Sequence, residues 1–260
     1  MIITTGDHAV QEAVRRASAL SKEAGVKYVP RNRTSLPKLS AQHGGTDILV
    51  ILEGGARLYR PDGEAMLFHP SMAFVRAKRL IKKGESDPML EAARVQPGDS
   101  IIDCTAGLGS DAAVFALGAG PEGRVLALED SLSLWSLMRE GFAYYVSGVK
   151  EFDEALRRIT VKRAEHLELL RGLPDKSADV VYFDPMFRDP IQESSAISPL
   201  RSYANNNQLD PEAIAEACRV ARKTVVLKEK KGSGEFERLG FTTQSRSHTK
   251  IVYGVISLDQ

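Results

Sequence analysis

Apolar residues recur at helical spacing across residues 9–24, where Val10, Ala13, Val14, Ala17 and Leu20 share one face. Three short strand-like runs follow at 47–52, 56–60 and 65–68, separated by Gly54-Gly55 and by Pro61-Asp62-Gly63. These separators are turn formers, so the pattern predicts a small meander. After His69-Pro70, residues 71–83 return to a helical pattern that carries Arg76, Lys78, Arg79, Lys82 and Lys83. The first block reads as a small N-terminal α+β domain, residues 1–84.

Residues 85–260 are more rhythmic and read as a second domain. A short helix opens at Asp87-Pro88, a capping residue followed by proline at the first helical position. Strands are predicted at 100–104, 124–128, 159–163, 179–183 and 224–228. Helices are predicted from about Ser110, at 131–146, at 165–171 and at 211–222, the last capped by Asp210. Strands alternating with helices imply a parallel sheet covered on both faces. The final two strand-like segments, 241–247 and 251–258, are joined only by His248-Thr249-Lys250. A parallel crossover needs a dozen or more residues, so this pair must be antiparallel. An open α/β sheet with an antiparallel last strand resembles the class I S-adenosylmethionine (SAM) methyltransferases, a Rossmann-like arrangement.

Composition removes several other classes. The chain has 260 residues, and 35 lysines and arginines stand against 34 acids, a net charge of +1, so bulk electrostatic coating of nucleic acid is excluded. Two cysteines, Cys104 and Cys218, are too few for a disulfide framework or a cysteine zinc site. The five histidines show no metal-ligand spacing, and no metal is expected. The longest apolar or glycine run, residues 112–120, falls far short of the ~20 residues that span a bilayer. The first residues lack the basic and apolar regions of a secretory signal. The chain is expected to be soluble and cytoplasmic.

The densest chemical signal is Asp103-Cys104-Thr105-Ala106-Gly107-Leu108-Gly109-Ser110-Asp111, directly after a strand and before a helix. Glycines there allow close backbone approach to a ligand, and amides at the helix start favour polar or anionic groups. Gly107, Gly109 and Ala112 also satisfy the loose nicotinamide fingerprint, with the acid Glu129 about 20 residues on. An oxidoreductase is therefore the rival reading. Asp103, four residues before Gly107, favours SAM, because it could neutralise that cofactor's ammonium group. Glu129 closes the second strand, where an acid accepts hydrogen bonds from ribose hydroxyls.

A second signal ends the fourth strand: Tyr182-Phe183-Asp184-Pro185-Met186-Phe187. An apolar run fits a buried parallel strand and delivers Asp184 to the carboxyl edge of the sheet, where α/β ligands bind. The segment resembles the (Asn/Asp)-Pro-Pro-(Tyr/Phe) motif of methyltransferases that modify exocyclic amines of nucleobases. Such an amine is a poor nucleophile because its lone pair is delocalised into the ring. The carboxylate of Asp184 and the carbonyl of Pro185 can accept its hydrogens, while Phe187 stacks on the base. Met186 stands where the motif has its second proline.

Together the two segments are similar to the RsmJ-like family, small-subunit ribosomal RNA guanine-N2 methyltransferases. The resemblance runs from about Pro70 to the C-terminus. It implies SAM as cofactor, 16S ribosomal RNA or the small ribosomal subunit as partner, and guanine N2 as acceptor. Cofactor contacts are expected from the loop itself at Asp103, Thr105, Ala106, Gly107 and Gly109, and the resemblance implies others at Ser110 and Asp111, at Glu129 and Asp130, at Glu165 and His166, and at Asp184. Ser110 and Asp130 stand where arginines are usual in that family, and Glu165-His166 replaces a small polar pair. A small-molecule or protein substrate is the alternative for a methyltransferase, and a non-catalytic RNA-binding module with a degenerate site is a further one. Basic residues at 31–38, 76–83 and 228–231 are candidates for phosphate contacts, and the asparagines at 205–207 fall in an expected loop beside the site. Cys104 reads as a buried strand-end residue.

Overall fold

The computed structural model describes residues 1–185, 203, 208–243 and 250–258. Two sheets organise the chain. The smaller has four strands in the order β1-β2-β3-β4: β1 (Ile2–Thr5), β2 (Ile48–Leu52), β3 (Gly55–Tyr59) and β4 (Ala65–Leu67). The meander β2-β3-β4 is antiparallel as its turns predict, but β1 adds a parallel strand in register with β2, Ile2 opposite Ile48. That strand escapes the pattern analysis because its four residues are buried throughout and show no alternation.

Helix α1 (Gln11–Ala24) follows β1 and ends at Gly25, whose φ of 66° supplies the left-handed cap. It begins later than the spacing predicts, and Val10 is the exposed cap position, not an inward one. Helix α2 (Leu36–Gln42), with Pro37 in its first turn, is an addition to the expected elements. Helix α3 (Ser71–Lys83) ends at Gly84, again left-handed. The boundary read at residue 84 thus falls between α3 and α4 (Pro88–Ala92), whose cap Asp87 accepts from the backbone amides of Met89 and Leu90.

The larger sheet has seven strands: β5 (Ser100–Asp103), β6 (Arg124–Glu129), β7 (Ile159–Arg163), β8 (Ala178–Phe183), β9 (Ala221–Lys230), β10 (Thr242–Thr243) and β11 (Ile251–Ser257). Their order is β10-β11-β9-β8-β5-β6-β7. Neighbours from β9 through to β7 are parallel, whereas β11 runs antiparallel to both β9 and β10. The antiparallel ending follows from the short connection. Of the expected strand at 241–247, Thr242–Thr243 is strand and 244–249 lie outside the described residues.

Helices α5 (Ser110–Gly118), α6 (Leu132–Tyr144), α7 (Lys150–Arg157), α8 (His166–Arg171), α9 (Pro211–Val220) and α10 (Glu235–Arg238) complete the layers. Ser131 and Asp210 cap α6 and α9 as predicted. Helix α6 stops at Tyr144, leaving Val146 exposed, and α9 passes directly into β9 at Ala221. Helix α7 is a further addition to the expected elements; its start lacks a side-chain cap. Helix α5 is apolar all round and correspondingly buried from Asp111 to Ala116. One apolar cluster runs from Ile3, Leu20 and Leu58 through Phe68 to Phe115, Trp135 and Phe142, so the two sheets share a core. None of the described helices is long and apolar enough to cross a membrane.

Candidate active site

The site forms where β5, β6 and β8 end side by side. The parallel registers set it: Asp103 lies opposite Ala127 and Tyr182, and Phe183 lies opposite Leu227. Each strand therefore reaches its carboxyl edge with an acid at or just beyond its last residue: Asp103, Glu129 and Asp184. The glycine loop bends over this edge. Gly107 and Gly109 have φ of 56° and 74°, conformations an L side chain rarely adopts. At Gly109 a Cβ would stand 2.2 Å from the Phe142 ring, whereas at Gly107 it would meet nothing within 4 Å. Gly109 serves packing, and Gly107 faces open space.

Hydrogen bonds hold the loops to one another. The Gly107 amide donates to Glu129 Oε2 at 3.1 Å, and the Ser131 amide donates to Glu129 Oε1 at 2.8 Å. The Asp184 amide donates to Thr105 Oγ1 at 2.6 Å, tying the Asp-Pro segment to the glycine loop. The Ala106 amide donates to the Leu128 carbonyl, and the Thr105 amide donates to Asp103 Oδ1. Asp103, Thr105, Ala106, Gly107, Gly109, Glu129 and Asp184 are thus brought together. Ser110 starts α5 beside them, with its cap at Gly109. Asp130 is exposed just past β6, and its carbonyl accepts from Arg163 Nε. Glu165 caps α8, accepting from the Glu168 amide, and lies 3.2 Å from His166 Nδ1. The His166 ring meets the edge of Phe183 at 5.7 Å. Pro185 is half-buried beside Asp184; Met186, Phe187, Asn205, Asn206 and Asn207 lie outside the described residues.

Asp111 occupies a different setting. It is buried in the first turn of α5 and accepts from Tyr182 Oη at 2.6 Å, from Lys228 Nζ at 2.8 Å and from Arg76 Nη1. Arg76 also forms a two-pronged pair with Asp87, both distances 2.7 Å. This corrects the reading of Arg76 as a phosphate-facing residue. Its guanidinium is turned into the protein because two buried carboxylates need it. Lys228 is likewise turned towards Asp111 and Asp184, and Arg31 pairs with Asp7 at 3.2 Å. Sequence spacing holds no sign of these pairings, since the partners lie far apart along the chain.

Electrostatics follow from burial. Burial pushes Asp103 well above the usual carboxylate range, and the negative charges of Asp111 and Asp184 add to that push. Burial likewise raises Glu129 to about 7, against the pull of the Ser131 and Gly107 amides. Asp184 is raised to about 6 by burial, with Lys228 opposing. Asp111 is the exception: despite burial, Lys228 and Arg76 hold it low. Burial lowers His166 and raises Cys104, which suits a strand-end packing residue better than a nucleophile. Among the described residues no group of three or more His, Cys, Asp or Glu side chains could hold a metal ion.

Three carboxylates whose ionised forms are disfavoured by burial gain from a cation or a hydroxyl donor entering the cleft. SAM carries a sulfonium, an ammonium and ribose hydroxyls, and the open space at Gly107 admits a ligand against the backbone. The residues fit that group.

Comparison with known proteins agrees. Residues 61–250 match the profile of a family described as "Putative SAM-dependent methyltransferase". The chain belongs to the SAM-dependent methyltransferases. The uncharacterized protein YpiP of Bacillus subtilis is 40% identical over 255 residues, 98% of each chain. The Ribosomal RNA small subunit methyltransferase J of Thioalkalivibrio sulfidiphilus is 26% identical over 85% of each chain. The enzyme of that name from Pseudomonas syringae pv. tomato is 28% identical over 59% of this chain, which spans 58% of it. A crystal structure of a SAM-dependent methyltransferase from Neisseria gonorrhoeae superposes with a TM-score of 0.66 at 17% identity, covering 99% of this chain and 96% of that one. The protein resembles the ribosomal RNA small subunit methyltransferases J in sequence, its fold is the class I Rossmann-like one with an antiparallel last strand, and its cofactor is SAM. The oxidoreductase reading is thereby set aside.

Proposed function

We propose that this methyltransferase modifies an exocyclic amine of a nucleobase, guanine N2 of small-subunit 16S ribosomal RNA, in the cytoplasm. The observation that carries the reading is the placement of Asp184-Pro185 at the carboxyl edge of β8, with the Asp184 amide bonded to Thr105 beside the glycine loop. A carboxylate and an adjacent carbonyl at that point match what an aromatic amine needs. They accept its two hydrogens and return the lone pair to nitrogen. Support also comes from relatives named Ribosomal RNA small subunit methyltransferase J.

In this reading the bound SAM supplies an electrophilic methyl group. Glu129 accepts the ribose hydroxyls, Asp103 faces the ammonium group, and the Gly107 backbone allows close approach. Thr105, Ala106, Gly109, Ser110 and Asp111 shape the loop, with Asp130, Glu165 and His166 flanking it. Asp184 Oδ1 and the Pro185 carbonyl orient the amine, and Phe187 stacks on the base. Catalysis is mainly positioning, with hydrogen bonds that strengthen as positive charge develops on nitrogen. The base must be unstacked or single-stranded to enter.

The test is mass mapping of ribosomal RNA from a strain lacking the gene, with methylation of that RNA by the purified protein. A missing methyl on small-subunit guanine N2, restored in vitro, is expected. Fully methylated RNA in the deletion strain sinks the proposal and favours a small-molecule or protein acceptor.

A further inference from the structure

The Lys228 ammonium occupies an unusual position in the fold. In the parallel register of β8 and β9, Phe183 lies opposite Leu227. Lys228 is therefore the first residue of β9 beyond that pairing, and it stands alongside Asp184. On its other side, β11 places Tyr253 directly opposite. The side chain is only 21% exposed, and its Nζ lies 2.7 Å from Asp184 Oδ2 and 2.8 Å from Asp111 Oδ2. Asp111 in turn accepts from Tyr182 and from Arg76, and Arg76 reaches Asp87 at the cap of α4.

We propose that Lys228 is a positioning residue for methyl transfer, its ammonium binding Asp184 through Oδ2 so that Oδ1 is presented to the acceptor amine. The inference rests on the functional reading above and adds a residue to it.

Three physical considerations carry the assignment. A carboxylate at the end of a strand can rotate about χ2, and a hydrogen bond to one oxygen removes that freedom before substrate arrives. An ionised acceptor is required, because a protonated carboxyl offers a donor to an amine that itself donates. Asp184 has Asp111 as a like-charged neighbour that opposes its ionisation, and the Asp184 charge in turn helps to hold Asp103 up. Among the described residues, the charged or titratable groups around it are Lys228 on β9, Asp111 on α5, Asp103 on β5, Tyr182 on β8 and Tyr253 on β11, with Arg76 of α3 and Asp87 at the cap of α4 behind Asp111. Among the described residues, Lys228 is the cation that touches both Asp184 and Asp111. It stays protonated throughout, because those two carboxylates hold it well above the ordinary lysine value. Lys228 is consequently not the base. As the N–CH3 bond forms and the S–CH3 bond breaks, the amine nitrogen becomes cationic and its surplus proton goes to Asp184 Oδ1, and from there to water.

The experiment follows the Asp184 carboxyl by 13C NMR, assigned by loss of its signal in Asp184→Asn, in wild type, Lys228→Gln and Lys228→Arg. Lys228→Gln keeps a donor but removes the charge, and is expected to raise the Asp184 titration midpoint by about one pH unit, tenfold in proton affinity. Lys228→Arg is expected to restore it, since guanidinium is charged at every accessible pH. The acid limb of kcat for ribosomal RNA methylation should move by the same interval in Lys228→Gln, with KM for RNA unchanged. An Asp184 midpoint that stays at its wild-type value in Lys228→Gln overturns the proposal, as does a shift that Lys228→Arg fails to reverse. If Lys228→Gln does not fold, Asp111→Asn reads the same cluster. Removing that neighbouring charge should lower the Asp184 midpoint, and no movement overturns the proposal. The NMR midpoints need no RNA, so a wild-type protein that fails to methylate ribosomal RNA refutes the functional reading separately from the Lys228–Asp184 coupling.

Discussion

Arg16 Nη2 lies 2.6 Å from Glu140 Oε2, and the two side chains are only 6% and 2% exposed. Arg16 sits on α1 and Glu140 on α6, so the pair fastens the N-terminal sheet to the methyltransferase layer. The guanidinium also donates to the carbonyls of Leu52, Glu53 and Gly55 and lies 3.4 Å over the Tyr144 ring. Every face of this buried cation is thus engaged. Removing one partner strands the other charge in the core, which typically costs about 3–5 kcal/mol. Glu140→Ala is expected to lose stability in that range in urea unfolding. The double change Arg16→Met with Glu140→Leu should recover part of it, because no unpaired charge remains.

The pH dependence of cofactor binding should report Glu129. Its folded value, about 7, lies above the ordinary 4.5, so its contribution to stability is full below 4.5 and is lost as pH rises through about 7. Ribose hydroxyls donate to the ionised form, so binding expels a proton and tightens with rising pH over the same interval. Calorimetry with S-adenosylhomocysteine, repeated in buffers of different ionisation enthalpy, is expected to show that proton release. Glu129→Gln should reduce it, leaving the share that Asp103 releases to the ammonium group, and bind more weakly throughout. Equal proton release in the variant would exclude Glu129 as the linked group.

The two loop glycines should separate folding from binding. Gly109→Ala places a methyl against Phe142 in a left-handed conformation, and a cost of about 2–5 kcal/mol is expected. Gly107→Val intrudes only on open space and should keep more of the stability while weakening S-adenosylhomocysteine binding. Thermal unfolding and calorimetry on both variants test the distinction. Equal loss of stability would show that Gly107 serves packing as well.

Charge on α3 divides in the same way. Arg76→Met leaves Asp87 and Asp111 without their guanidinium, and should destabilise by on the order of 3 kcal/mol. Lys78 and Arg79 are exposed on the same helix. Reversing both should leave unfolding almost unchanged and lower RNA affinity, with the salt slope falling by about 1 for each phosphate no longer neutralised. Filter binding over a salt series measures this. An unaltered slope removes α3 from the RNA-facing surface.

Phe187 and Asp184 should differ in kind. Stacking on an aromatic contributes ~1–3 kcal/mol per base, so Phe187→Ala should lower kcat/KM by about 10–100-fold while leaving S-adenosylhomocysteine affinity intact. Asp184→Ala should cost more, since it removes an interaction made as charge develops. Normal RNA methylation by Phe187→Ala would argue for an acceptor that is not a base.

The parallel sheet is legible in the sequence because its boundaries are written locally: Asp87-Pro88, Ser131 and Asp210 cap their helices, and the short stretch between Thr243 and Ile251 forces the antiparallel ending. The three edge acids are legible for a similar reason, each lying at the end of an apolar strand. Elements without punctuation escape. Strand β1 is four uniformly buried residues, α7 starts without a side-chain cap, and α10 has four residues. Helix α2 does carry a signal, Ser35 before Pro37, of the kind that marks a helix start. Arg76 and Lys228 mislead for a deeper reason. A cation in a basic run looks solvated until the fold brings carboxylates such as Asp87, Asp111 and Asp184 to it.

Strand β11 gives the order of synthesis a consequence. It covers the outer side of β9 along seven residues, from Ile251 opposite Lys230 to Ser257 opposite Thr224. A nascent chain interrupted before Ile251 would leave β9 as a bare edge strand, with unpaired amides and carbonyls exposed beside Lys228. Such an edge invites pairing with another chain. Truncation at that point should therefore yield a self-associating species and not a weakened enzyme.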